Sequence, residues 1–249
     1  MPIGTEHTVK AFDEELKRLG EIIVQMGGQA EAQLQDAIEA LRRRDAERAG
    51  AVVRADQRLD DLENQADALV IRTLALRQPM AVDLRQIVSA LKISSDLERI
   101  GDYAANVAKR AIALSQQPLV RPVHAIPRMA RLVQQIIKDV LDSYIDLDAA
   151  KAVAAWQRDE EVDEMYTSLF RELLTYMMED QRNIGPSIHL LFIAKNIERM
   201  GDHATNVAED VHFLVHGRPL DQARPKGDQT SFTVVATAPG APPGKPEEV

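Results

Sequence analysis

An all-α fold, two tandem three-helix bundles built from six long helices by internal duplication, is what this 249-residue sequence predicts. Apolar residues recur at helical spacing along most of the chain, as in Phe12, Leu16, Leu19, Ile23, Met26, Ala30, Leu34, Ala37 and Leu41. No stretch alternates with period two for long enough to make a strand. The segment Glu98 to Ala108 returns 100 residues later as Glu198 to Ala208, with eight of eleven positions identical.

Punctuation residues divide the periodic regions into six helical segments, about 7 to 44, 46 to 77, 80 to 117, 123 to 147, 149 to 179 and 187 to 216. Asp45 opens the second and Asp148 the fifth, each with a side-chain oxygen suited to cap free amides. Pro79 and Pro186 lie near the first turns of the third and sixth, where a missing amide costs nothing. Pro118, Pro122 and Pro127 mark the middle connection. Upstream of the repeat the halves stay in register at an offset of 103, so that Asp45 maps to Asp148, Asp56 to Asp159, Leu59 to Val162 and Asp60 to Asp163. The three-residue change falls in an inter-helix loop, where length varies cheaply. The expected units are residues 1–120 and 121–217, each a three-helix bundle. A Pro/Gly-rich tail, 218–249, is expected to be disordered.

Thirty Lys and Arg against 39 Asp and Glu give a net charge of −9, which argues against a nucleic-acid ligand. The Arg42-Arg43-Arg44 triplet is too short to reverse that. There is no cysteine, so disulfides, thiolate metal sites and cysteine nucleophiles are excluded together. The N-terminus, with Glu6, Asp13, Glu14 and Glu15 and no apolar core, does not read as a signal peptide. The longest apolar run, around Ile188 to Ala194, falls far short of the roughly 20 residues of a membrane span. A cytoplasmic protein without membrane insertion is expected.

The candidate site is acidic. Positions four apart share a helix face, which stacks Glu98 over Asp102 and Glu198 over Asp202. Asp56 with Asp60, and Asp159 with Asp163, do the same on the preceding helix of each half. The stripe Leu97, Ile100, Ala104, Val107 and Ala108 excludes the acids, so they are expected on the bundle surface rather than in its core. Four negative charges on neighbouring helices need a counter-charge. Arg99 and Arg199 point about 100° away from the glutamates they follow and are not obvious partners. A hard cation is the better compensator, since carboxylate-only ligation suits magnesium, calcium, manganese or iron. Asn106 and Asn206, four residues after the aspartates, are candidates for a supporting shell around such ions. Gly101 and Gly201 stand mid-helix at a cost of about 1 kcal/mol each, which points to close helix approach or room beside the carboxylates. Glu209 and His212 form a single Glu-x-x-His pair, where a di-iron bundle needs two and further glutamates. No phosphate-cradling glycine loop or nucleophile constellation is present, and no catalytic residue is assigned.

The repeated Glu98-Arg-Ile-Gly-Asp102 and Glu198-Arg-Met-Gly-Asp202 segments resemble the PhoU family, as do Met26-Gly27-Gly28, Arg77-Gln78-Pro79 and Tyr176-Met177-Met178-Glu179-Asp180. The resemblance covers about residues 5 to 217. It implies two three-helix bundles side by side and multinuclear metal clusters, iron in the family, at Glu98 and Asp102 and at Glu198 and Asp202. Manganese, magnesium and zinc are the alternative metals. The pairs Asp56 with Asp60 and Asp159 with Asp163 extend that ligand set by helix geometry and the repeat, and nearby acids in family members support them. The resemblance also implies a non-enzymatic, cytoplasmic negative regulator of the phosphate-starvation response. Such a protein connects the ATPase subunit of the phosphate ABC transporter to a sensor histidine kinase. Long helical faces are suited to those partners or to a homodimer. The competing expectation is a metal-dependent phosphohydrolase or iron store using the same carboxylates.

Overall fold

A computed structural model describes residues 3–77, 79–118, 121–222, 224 and 230, with the backbone alone for 3–11, 77, 121 and 122. Its helices are α1 (Ile3–Arg43), α2 (Ala46–Arg77), α3 (Val82–Ser115), α4 (Ile126–Asp146), α5 (Ala149–Gln157), α6 (Asp159–Glu179) and α7 (Ile184–His216), with short 3₁₀ turns at Arg121–His124 and Gln181–Asn183. Among the described residues there is no strand. These are the six segments of the sequence, the fifth interrupted at Arg158 into α5 and α6. The interruption leaves no glycine or proline signature. Arg158 is held by an ion pair to Asp139 of α4 at 3.1 Å, and its amide bonds back to Ala155 and Trp156 in a tightened last turn.

The caps behave as their chemistry requires. Asp148 accepts the Ala150 and Lys151 amides, and Asp45 accepts the Arg48 amide at 2.9 Å. α7 begins three residues earlier than the periodicity marks, at Ile184, so Pro186 stands in its first turn. Of the expected tail over 218–249, most lies outside the described residues. Within the described part, Leu220 packs on the core and Arg224 returns to α7.

α1, α2 and α3 pack together, as do α4, α5, α6 and α7, and α3 against α7 with α1 against α4 joins the halves. The buried apolar side chains form one continuous core through both. At the α1–α4 crossing, a β-carbon on Gly27 would lie 2.4 Å from a methyl of Leu141, so the absent side chain is what allows the contact. Across α3 and α7 the pairs Lys92–Asp210, Asp96–Asn206 and Arg110–Phe192 succeed one another in opposite directions. The two copies of the repeated segment are therefore antiparallel neighbours, related by a local two-fold.

Candidate metal and counter-ion clusters

The eight carboxylates gather into two groups. Asp56 and Asp60 of α2 face Glu98 and Asp102 of α3, and Asp159 and Asp163 of α6 face Glu198 and Asp202 of α7. In the first group Glu98 is pushed up to about 7, chiefly because burial disfavours its charge and then because Asp102 and Glu63 repel it. Asp56 is raised by burial and by Asp102 and Asp60. Glu63 is a member that the motif reading missed. It is raised by burial and by Asp67, and accepts a hydrogen bond from Ser95. Its signal was present, since it follows Asp60 by three and Asp56 by seven on the same helical face.

The second group is set deeper. Asp159, Asp163 and Glu198 are buried, contrary to the expectation of surface pairs. The break at Arg158 explains part of this, because it makes Asp159 the first residue of α6, where a carboxylate complements the helix dipole. In the first half, α2 runs unbroken past Asp56. Burial pushes Asp159 up to about 6 against the lowering effect of Arg224, and Glu198 to about 7 against the lowering effect of Lys195. At the 103-residue offset Glu63 corresponds to Tyr166, whose ring lies under the Lys195 ammonium at 4.8 Å. The first group is thus richer in acid and the second richer in cations.

The counter-charges also correct the sequence reading. Arg99 does reach its neighbours, with Asp102 at 3.3 Å and Glu98 at 3.7 Å, because the long guanidinium arm swings back along the helix. Arg199 instead donates to the Tyr103 hydroxyl of α3. Lys195 pairs with Glu198 at 2.7 Å. Arg224 pairs with Asp159 at 3.1 Å and Asp202 at 2.9 Å. Asn206 joins this network, donating to Asp96 at 3.0 Å and accepting from Arg224 at 3.3 Å. Asn106 accepts from Lys109 on its own helix, at 3.4 Å, rather than from a member of the first group. His203 bonds Asp96 at 2.7 Å across the α3–α7 seam.

Gly101 and Gly201 stand against these groups. A β-carbon at Gly101 would sit 2.2 Å from a methyl of buried Leu59, and one at Gly201 would sit 3.0 Å from the Asp159 carboxylate. Gly101→Ala is expected to lower stability by about 1–2 kcal/mol, overpacking outweighing the gain in helix propensity. Gly28 is the control: nothing lies within 4 Å of the place a β-carbon would take, and Gly28→Ala should stabilise by about 0.5–1 kcal/mol. Urea titrations followed by circular dichroism decide this. A Gly101→Ala protein at least as stable as wild type refutes the close-approach account.

All-oxygen donors suit a hard cation, and the upward pressure on Glu98 is what a bound cation would relieve. Among the described residues, no three such side chains converge tightly enough as they stand to hold one ion.

The PhoU domain family model matches residues 23–111 and again 126–211. The chain belongs to the PhoU family. The phosphate-specific transport system accessory protein PhoU homolog of Caulobacter vibrioides is 54% identical over 228 residues, covering 91% of this chain and 99% of that one. The homolog of the same name from Xylella fastidiosa (strain 9a5c) is 50% identical over 225 residues, covering 90% and 95%. The crystal structure of PhoU from Pseudomonas aeruginosa superposes with a TM-score of 0.80 at 39% identity, over 83% of this chain and all of that one. The phosphate transport system regulatory protein PhoU from Streptococcus pneumoniae gives 0.79 at 29% identity, over 85% of this chain and all of that one. Among the described residues, no helix is long and apolar enough to cross a membrane.

Proposed function

We propose that this PhoU-family chain is a cytoplasmic accessory and negative regulator of phosphate-specific transport, a non-enzymatic adaptor between the ATPase subunit of the phosphate ABC transporter and its sensor histidine kinase. The observation that carries the proposal is the 54% identity, along nearly the whole of both chains, to a relative named for that transport system. The surface supports an adaptor. The α2–α3 end exposes Leu76, Met80, Val82 and Leu84, and the equivalent α6–α7 end exposes Met178, Ile184, Ile188 and Phe192. Exposed apolar groups recurring at two equivalent places are suited to partner helices or to a second copy of the chain.

The cofactor belongs to the same proposal: a multinuclear cluster, iron first and manganese, magnesium or zinc as alternatives. Asp56, Asp60, Glu98 and Asp102 would hold it in the first half, with Glu63 beside them. Asp159, Asp163, Glu198 and Asp202 are the counterparts in the second. A bound cation would supply charge neutralisation, allowing α2 and α3 to stay packed with their carboxylates ionised. The chain's own part is to hold those oxygens on two helices that Gly101 brings close.

Deleting the gene should switch phosphate-starvation genes on in phosphate-rich medium, and tagged protein should co-purify with the transporter ATPase. Normal repression together with no co-purification would overturn the proposal.

A further inference from the structure

The second acidic group already contains a cation, and it comes from the chain itself. We infer that Arg224 is the resident counter-ion of the Asp159–Asp202 cluster, so that the two repeats bind cations differently: the first is open to a divalent ion, and the second admits one only when Arg224 leaves.

Every arm of the guanidinium is engaged. Nε and Nη2 donate to Asp159 Oδ2 at 3.2 and 3.1 Å. Nη2 also lies 2.9 Å from Asp202 Oδ1, donates to the Asp202 carbonyl at 2.8 Å and meets the Thr205 hydroxyl. Nη1 donates to Asn206 Oδ1 at 3.3 Å. A planar fork spread over two carboxylates, a carbonyl and an amide is a fitted site for a guanidinium. Its depth sets it apart from a surface pair: the side chain of Arg224 is 19% exposed and that of Asp159 3%. Beside it, Oε2 of buried Glu198 makes no hydrogen bond among the described residues, leaving acceptor capacity that the guanidinium does not use.

The chain path permits the return. Gly217 ends α7 in the left-handed region at φ 70°, which reverses the backbone. Residues 202–206 lie about 18 Å back along the helix from it, and seven residues of extended chain span about 23 Å. Leu220 packs on the core along the way. In the first repeat only Arg99 answers the acids, 3.3 Å from Asp102 and 3.7 Å from Glu98, and at 56% exposed it is a solvated surface arm that an incoming ion displaces, whereas Arg199 is drawn off to Tyr103. Residue 224 lies beyond the second stretch matched by the family model, which ends at 211.

The test uses full-length protein stripped of metal by chelation. Wild type, Arg224→Gln, Asp159→Asn and the double variant are unfolded in urea. Arg224→Gln should lower the midpoint in the wild-type background and by clearly less in the Asp159→Asn background, where Asp202 and Asn206 still receive the guanidinium. Equal effects in the two backgrounds, or none in either, overturn the inference. Arg224→Lys, which keeps the charge and loses the fork, should fall between wild type and Arg224→Gln.

Mn²⁺ binding, read from the electron-spin signal of free ion, tests the second half of the inference, which rests on the metal reading above. If Arg224 is docked nine-tenths of the time, its removal should tighten one Mn²⁺ site about tenfold. Asp202→Asn should abolish that gain and Asp102→Asn should leave it. Coupling in the urea cycle without any Mn²⁺ gain would keep Arg224 as the resident cation and overturn the metal reading of the second cluster. First-cluster Mn²⁺ binding should be equal in every protein that keeps Asp102 and weakened in Asp102→Asn; binding undiminished in Asp102→Asn would overturn the claim that the first cluster is open to a divalent ion.

Discussion

Trp156→Ala is expected to lower the unfolding free energy by about 3–5 kcal/mol, a drop in melting temperature of roughly 10 °C for a chain of this length. Trp156 is 2% exposed at the end of α5, and its indole Nε1 donates to Glu209 of α7 at 2.9 Å. Truncation therefore opens a cavity the size of an indole and leaves a partly buried carboxylate without its donor. Trp156→Phe separates the two losses, because it keeps most of the volume and removes only the hydrogen bond, at about 1–2 kcal/mol. As this is the chain's one tryptophan, unfolding has to be followed by circular dichroism rather than by intrinsic fluorescence. A loss under about 1 kcal/mol for the alanine variant would show that α5 is not anchored to α7 through this side chain.

The second large effect concerns pH. In metal-stripped protein, stability should fall as pH rises from about 5 to about 7.5. Glu98 and Glu198 stand near 7 in the folded protein, and Asp159 and Asp210 near 6, against ordinary values of 4.5 and 3.8. The folded state therefore binds more protons than the unfolded state between about 4 and 7, and each proton lost on raising the pH weakens the fold. His189, lowered by burial and Arg110, acts in the opposite direction near its ordinary value, but it is one group against these four and the likewise raised Asp56 and Glu63. Solvent screening makes the share of Glu98 smaller than those of the more deeply buried Glu198, Asp159 and Asp210. Combined Glu98→Gln and Glu198→Gln substitution should flatten most of the slope. A melting temperature that climbs from pH 5.5 to 7.5 in the stripped wild type would refute the account. Bound metal should reverse the trend, since it favours the ionised carboxylates.

The helical segments were legible because apolar spacing, Asp45, Asp148 and the prolines are local signals. The fold class and the acids' grouping followed from the repeat. Arg158 was not legible as a break, since Ala149 to Glu179 keeps helical periodicity and the carboxylate that pairs with Arg158 there, Asp139, belongs to another helix. Burial of Glu198 was misjudged because a single apolar stripe suits a helix with one partner, whereas α7 packs against α3, α4, α5 and α6; Asp159 and Asp163 are buried with it on the face that α6 turns to α7. Arg224 carried no signal at all. Its role depends on a return across α7 from a proline-rich stretch whose composition reads as unstructured.

A single repeat pairing with its own copy across the antiparallel α3–α7 seam would form an isologous interface, in which any change on one side is imposed on the other. Joining both copies in one chain lifts that identity. Tyr103 can then receive Arg199 while His203, its counterpart, binds Asp96, a division of labour no homodimer of the repeat could adopt.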